Sequence, residues 1–344
     1  DFEVSGNSCS STTIWDGAAW SNEAPDANSY AIISGPYTTG INGDISACVM
    51  KVDAGITIDG ATDTAIGEVL VMAGNTLTID QTSSLTVSGD FTNSGGTVSL
   101  NSTEDDFSSL IVTGTATGNI VYNRYVNVYD DGNSGGWDLV GAPVAMSIAD
   151  FITANGTNIE VIGDNYAFAQ FNNASGQWER YATDTDTGTF TSGQGYSMAT
   201  TTGATVAFTG AMQTVDQTIN IINNDGLNNV GRRWNLVSNP FPSYIVGYDG
   251  TENPTNFLYA NTTAIDSEFL SVYGWNGSDY TIYNNMTRPA GFSIAPGQGF
   301  WVAAASTDAA QLDFTADLRT TSGTGDFVAG PQPLVYKLEL KLFN

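Results

Sequence analysis

The 344-residue chain contains no histidine. That removes the side chain that most often serves as a general base near neutral pH. It also removes the Ser-His and Cys-His nucleophile pairs and the commonest zinc ligand. Cysteine is nearly absent as well: Cys9 and Cys48 are the only two, too few for a zinc site of their own. Nine basic residues face 36 acidic ones, a formal charge of −27, and the lysines among them are Lys51, Lys337 and Lys341. A surface of that sign repels nucleic-acid phosphates and anionic lipid, so nucleic acid is not an expected partner. No apolar run reaches the ~18 residues that would cross a bilayer, so direct membrane insertion is not expected either.

What is present argues for a folded chain. Seven Trp, 15 Tyr and 16 Phe lie among regular β-branched runs, in a sequence that is 41% hydrophobic. A low-complexity acidic chain would lack both. The length suggests two to three domains. The acidic, lysine-poor composition reads as extracellular, with Asp-rich surfaces kept hydrated in a salty medium where screening weakens self-repulsion. In that setting the preferred reading of Cys9 and Cys48 is one disulfide tying down the N-terminal segment, with two free buried thiols as the alternative. The start at Asp1 without a Met reads as a processed mature protein.

Residues 1–40 are loop-rich, with Trp15, Trp20 and Tyr30 as expected anchors. From about residue 45 short triplets recur: Ile56-Thr57-Ile58, Val69-Leu70-Val71, Leu77-Thr78-Ile79, Leu85-Thr86-Val87, Val98-Ser99-Leu100, Leu110-Ile111-Val112 and Ile120-Val121-Tyr122. The first and third residues of each point to one face and the middle one to the other. A β-solenoid fits, its inward Val, Leu and Ile stacking coil on coil. An antiparallel sandwich is the alternative. The short triplets with polar centres favour the solenoid.

The second half is a duplication. Trp137-Asp138-Leu139-Val140-Gly141-Ala142-Pro143-Val144 returns as Trp234-Asn235-Leu236-Val237-Ser238-Asn239-Pro240-Phe241. Each copy later reaches a tetrad, Gly193-Gln194-Gly195-Tyr196 and Gly297-Gln298-Gly299-Phe300. The tetrads lack the lysine and the strand-loop-helix setting of a phosphate loop. They read instead as tight glycine turns into buried strands, with Gln supplying amide hydrogen bonds. Ser147 is an expected cap for a short helix at 147–152. Hairpins are expected at Tyr166–Phe171 with Trp178–Tyr181, and at Phe269–Tyr273 with Tyr280–Tyr283. The expected organisation is all-β: a β-solenoid-like (β-helix) domain over 1–130 and two homologous β-sandwich modules over 131–230 and 231–330. A C-terminal strand follows over 331–344. In that strand Leu334, Tyr336, Leu338, Leu340 and Leu342 form one apolar face, suited to pairing with an earlier sheet, a further domain or a neighbouring molecule.

Three stretches carry a family resemblance. Thr13-Ile14-Trp15-Asp16-Gly17-Ala18-Ala19-Trp20-Ser21-Asn22 is the first. Leu77-Thr78-Ile79 through Asp90-Phe91-Thr92-Asn93 is the second. The third is Trp234-Asn235-Leu236-Val237-Ser238-Asn239-Pro240-Phe241-Pro242-Ser243 with Pro296-Gly297-Gln298-Gly299-Phe300-Trp301-Val302. They resemble segments of the secreted multidomain surface proteins of Bacteroidota, flavobacteria above all, that leave by type IX secretion. The resemblance implies export and a cell-surface location, and it names no activity. Members usually end in a sorting domain that is not visible here, so a processed or truncated product is expected. The resemblance also makes Asp63-Thr64-Ala65 a match to a short O-glycosylation pattern.

The chemistry on offer is sparse. Glu160, Glu179, Glu252 and Glu268 lie in the modules, but nothing in the sequence pairs any two at the ~5–10 Å of a glycosidase. No enzyme is expected. Trp178, Tyr181, Trp275, Tyr280 and Tyr283 lie on or beside the hairpins, where they either stack on sugar rings or pack the core and the module contact. Calcium is the one cofactor with candidate ligands: Asp130, Asp131 and Asn133 in one turn, Asp184 and Asp186 in another. Such residues also dominate ordinary turns. The expectation is a non-catalytic structural or adhesive protein of the cell surface that assembles with itself or with other surface proteins. The alternative is a glycan-binding accessory module of a polysaccharide-degrading system.

Overall fold

The computed structural model describes residues 9–130, 136–184, 188–226, 231–277, 279–323 and 327. Its N-terminal part is a β-solenoid of about five turns. One sheet carries, in order, Ser11–Trp15, Ser29–Ile33, Ser46–Val52, Asp63–Val71, Ser84–Val87 and Ser109–Val112. The facing sheet carries Tyr37–Thr38, Ile56–Ile58, Thr76–Ile79, Thr97–Leu100 and Ile120–Val126. Pairing within each coil stack is parallel, which sets aside an antiparallel sandwich for this region.

The triplets explain why the coils stack. Ile56, Leu77 and Val98 lie side by side in register, as do Ile58, Ile79 and Leu100, and none of the six is more than 1% exposed. Each such side chain contributes about 1.5–3 kcal/mol by leaving water. The middle residues Thr57, Thr78 and Ser99 stay half-buried on the outer face. Polar side chains climb the coils beside them. Asn123 donates to Asn101 at 3.0 Å, and Asn101 donates to Asp80 at 2.8 Å.

At the N-terminal end, Cys9 and Cys48 form a disulfide with Cα atoms 5.9 Å apart. Trp15 packs on Trp20 and Tyr37, and its indole N–H donates to the Pro36 carbonyl at 2.9 Å. Tyr37 thus completes the anchor in place of the expected Tyr30, which stays half-buried. Thr64 lies inside the strand Asp63–Val71 and is 4% exposed, so the folded chain has no room for a glycan there.

The solenoid is closed by the duplicated part. Ile120–Val126 pairs antiparallel with Ala204–Met212, so the second sheet runs across residue 130. One hydrophobic core continues from Trp15 to Met212. The second module covers the other sheet: Leu110 N–H donates to the Pro242 carbonyl, and Arg319 donates to the Val112 carbonyl at 2.9 Å.

The duplication is visible strand by strand. The strand before each copy's opening Trp pairs antiparallel with a late strand of that copy: Ile120–Val126 with Ala204–Met212, and Gln217–Ile221 with Ala310–Phe314. Each copy holds one short α-helix, Ile148–Asn155 or Phe257–Ala260. Ser147 caps the first by accepting from the Asp150 N–H, as the sequence suggests, and Asn256 caps the second. At the helix ends Asn155 and Asn261 play one part. Asn155 donates to the Phe151 and Ala207 carbonyls and accepts from the Ala207 N–H. Asn261 does the same with Phe257 and Asp313. Phe151 stacks on Phe208, and Phe257 on Phe314, beneath these bridges.

Each copy also carries an antiparallel sheet with an outer hairpin. The first is Asp138–Val140, Tyr196–Met198 and Asn165–Asn172, with Val161–Ile162 and Gln177–Ala182 beside it. The second is Trp234–Ser238, Gly299–Ala303, Val272–Trp275 and Tyr280–Tyr283. The second hairpin therefore begins at Val272, not at Phe269. Asp266 caps a 3₁₀ turn over Ser267–Phe269 by accepting from the Glu268 N–H, which takes that segment out of the sheet.

Candidate functional site

The two Gly-Gln-Gly turns join the copies reciprocally. Gln194 of the first donates to the Leu236 carbonyl of the second at 2.9 Å. Gln298 of the second donates to the Leu139 carbonyl of the first at 3.3 Å. Bridges Gln194↔Val237 and Val140↔Gln298 repeat the exchange in the backbone. Each copy's opening strand thus lies against the other's glutamine turn, as expected about a local two-fold axis. Gly141 and Ser238, equivalent in the repeat, meet there: a Cβ on Gly141 would lie 1.9 Å from the Ser238 Oγ. Buried Gln298 also accepts from Arg124, which is 0% exposed and lies over the Phe107 ring.

This contact places the two hairpins next to each other, and the strand registers fix their equivalences. Ala169 lies opposite Ser197 in the first copy, and Tyr273 opposite Trp301 in the second. Phe171 faces Trp178 as Trp275 faces Tyr280. Arg180 faces Ala169 as Ile282 faces Tyr273. Two cavities result, each floored by one copy and walled by the other. The first, about 280 Å³, is lined by Trp137, Leu139, Ala169, Trp178, Arg180 and Ser197 with Trp275 and Tyr280 from the second copy. The other, about 380 Å³, is lined by Trp234, Tyr273, Tyr280, Trp301 and Gly231 with Phe171 from the first copy.

The repeat has diverged at the floor. Ala169 and Ser197 are small and leave a recess, where Tyr273 and Trp301 fill the same level with rings. Trp178, 41% exposed, and Tyr280, 52% exposed, form the lips. Behind them the rings support one another: Phe171 lies 4.8 Å from Trp301, Trp178 5.9 Å from Trp301, and Trp275 4.9 Å from Tyr280. Rings held edge to face or tilted against one another in this way keep their orientation without a ligand.

Of the five aromatic residues singled out in the sequence, Trp178, Trp275 and Tyr280 come together here. Tyr181 and Tyr283 do not. Tyr181 stacks on Phe168 at 4.4 Å, and Tyr283 packs against Phe292 and Phe327. Strand alternation is the reason, since three residues along a strand reverses the face. Trp137 and Arg180 join the site although neither was singled out for it. Trp137 is half-buried against Tyr129, and Arg180 reaches over its ring at 5.9 Å.

The candidate carboxylates lie elsewhere. Glu179 points off the opposite face of its strand, where the Asn172 and then the Gln170 amide hold its carboxyl below the usual range. Glu252 accepts from Asn285. Glu160, Glu179, Glu252 and Glu268 line neither cavity. Asp130 and Asp184 are exposed, while Asp131, Asn133 and Asp186 lie outside the described residues. Among the described residues no group of three or more His, Cys, Asp or Glu side chains is placed to hold a metal. The strand face Leu334, Tyr336, Leu338, Leu340 and Leu342 also lies outside them. No described helix is long and apolar enough to cross a membrane.

Residues 14–329 match the family described as "Domain of unknown function (DUF8693)". The chain belongs to this family. No curated protein and no solved structure matches it. The match takes in the solenoid and both copies, so the DUF8693 unit includes the whole of the cleft.

Proposed function

We propose that this DUF8693 protein is a non-catalytic extracellular adhesive protein that holds a polysaccharide in the cleft between its two repeated modules. The observation that carries the reading is the pair of exposed rings, Trp178 and Tyr280, across a recess floored by Ala169 and Ser197. A pyranose ring has apolar C–H faces and a polar rim. It suits flat aromatic lips around a small floor that carries the Ser197 hydroxyl better than an apolar side chain would. The volume is near the lower end of the ~300–1,000 Å³ of small-ligand sites, the scale of one end or segment of a chain. Turnover is not part of the reading, since Glu179 lies on the opposite face of its strand and none of the four module glutamates singled out lines the recess. The disulfide and the net charge of −27 support a place outside the cell, and the solenoid supplies a stiff support.

The test is titration of the protein against a polysaccharide panel, with Trp178→Ala and Trp275→Ala alongside. On the scale of base–aromatic stacking, loss of one wall should cost about 1–3 kcal/mol, or roughly fivefold to more than hundredfold in Kd. Binding unaffected by Trp178→Ala would place the ligand elsewhere. Absence of binding by the parent protein across the panel would end the reading.

A further inference from the structure

Arg180 stands at the recess without an acidic partner among the described residues. Among the described residues its guanidinium makes no hydrogen bond and no ion pair; it lies over the face of Trp137, 5.9 Å from the ring centre. The other described cations are engaged. Lys51 pairs with Asp53 at 2.7 Å, and Arg233 with Asp225 and Asp266 at 2.7 and 2.8 Å. Arg319 donates to the Ala316 and Val112 carbonyls, Arg288 to the Thr287 carbonyl, Arg232 to the Ala174 carbonyl and Arg124 to Gln298. With 36 acidic residues in the chain, a partner for Arg180 was available in composition.

The fold does not require a cation there. Arg180 faces Ala169 across the hairpin, and its equivalent in the second copy, facing Tyr273, is Ile282. The neighbouring carboxylate, Glu179, alternates to the opposite face and is held by Gln170 and Asn172. Arg180 is also the only charged residue among the described ones lining either aromatic cavity. The recess therefore offers a planar fork of N–H donors beside stacking rings.

We propose that the recess selects an anionic sugar unit, with its carboxylate or sulfate ester bound by the Arg180 guanidinium while the ring lies against Trp178 or Tyr280. This rests on the reading of the cleft as a saccharide site. A guanidinium matches either group with two parallel hydrogen bonds. The overall charge of −27 opposes approach of a polyanion. That opposition is screened beyond about 8 Å at 0.15 M salt, whereas a contact inside the recess is screened far less.

The experiment is calorimetric titration of the full chain with three oligosaccharides of equal length: an oligouronate, a sulfated oligogalactan and neutral cellohexaose. Arg180→Gln, Arg180→Lys and Trp178→Ala are measured in parallel. Arg180 is exposed, so these variants should keep the parent circular dichroism and melting curve. One anionic oligomer should bind at least ten times more tightly than the neutral one. Arg180→Gln should erase that difference, with a loss of about 10- to 150-fold, the span of a hydrogen bond to a charged group. Arg180→Lys should recover only part of it. The uronate and sulfate arms tell which anion is preferred. Equal binding of neutral and anionic oligomers, lost in Trp178→Ala and untouched by Arg180→Gln, would overturn the anionic selection and leave the saccharide site standing. No binding of any oligomer would overturn both.

Discussion

At the residue scale, the contact between the copies turns on pairs that look conservative in the sequence. Gly141 and Ser238 occupy the same repeat position, yet they cannot both be serine. A Cβ on Gly141 would meet the Ser238 Oγ at 1.9 Å and its Cβ at 2.3 Å. Gly141→Ala should therefore destabilise the protein by about 1–3 kcal/mol through overpacking. Ser238→Gly in the same molecule should recover part of the loss, although it gives up the 2.8 Å bond from Ser238 to the Gln194 carbonyl. Urea midpoints of the two singles and the double give the coupling, and additive losses would show that the two residues do not compete for the space.

At the scale of elements, the short helices would not hold by themselves. Phe257–Ala260 is a single turn, and nucleating one turn is unfavourable without tertiary support. Asn261 supplies that support: it is 1% exposed and ties the helix end to the strand Ala310–Phe314 through the Phe257 and Asp313 backbone. Asn261→Ala strands those buried groups, and the protein should lose about 1–3 kcal/mol in thermal or urea unfolding. Asn155→Ala should cost a similar amount, because it makes the same three bonds. Asn261→Leu, similar in bulk but without the amide, should not rescue. A full rescue would mean that Asn261 only fills space.

At the scale of the whole molecule, the solenoid has one end covered by the duplicated modules and the other held by the disulfide. Cys9 and Cys48 are 39 residues apart in sequence, and closing such a loop stabilises by up to roughly 4 kcal/mol in the chain-entropy account. Reduction should therefore act locally. Hydrogen exchange should speed up in Ser11–Trp15 and Ser29–Ile33 under dithiothreitol, while the strands around Trp178 and Tyr280 keep their protection. Uniform loss of protection would show instead that solenoid and modules unfold as one unit.

Much of this was legible in the chain itself. The alternation of Ile56-Thr57-Ile58, Leu77-Thr78-Ile79 and Val98-Ser99-Leu100 determines one-sided strands, because it is a local side-chain period; it favoured a stack of coils over an antiparallel sandwich, and the parallel pairing of the strands decides for the coils. The repeat of Trp-x-Leu-Val and Gly-Gln-Gly likewise determines two copies of one unit, and Ser147 marks a helix start through its own hydroxyl. The cleft was legible only as loose aromatic residues on hairpins. Which of them meet is decided by register and by the reciprocal docking of the copies, which are long-range. Tyr181 and Trp178 are three residues apart, yet one faces the core and the other the recess. Arg180 carried no signal in the sequence, since its place in the recess, without a carboxylate partner among the described residues, depends on long-range packing. The sequence by itself determined one-sided strands and the duplication, which follow from local side-chain period; tertiary packing alone decided how the coils pair and that the two copies enclose two recesses, one lined by a cation over a floor of small residues and one floored by rings.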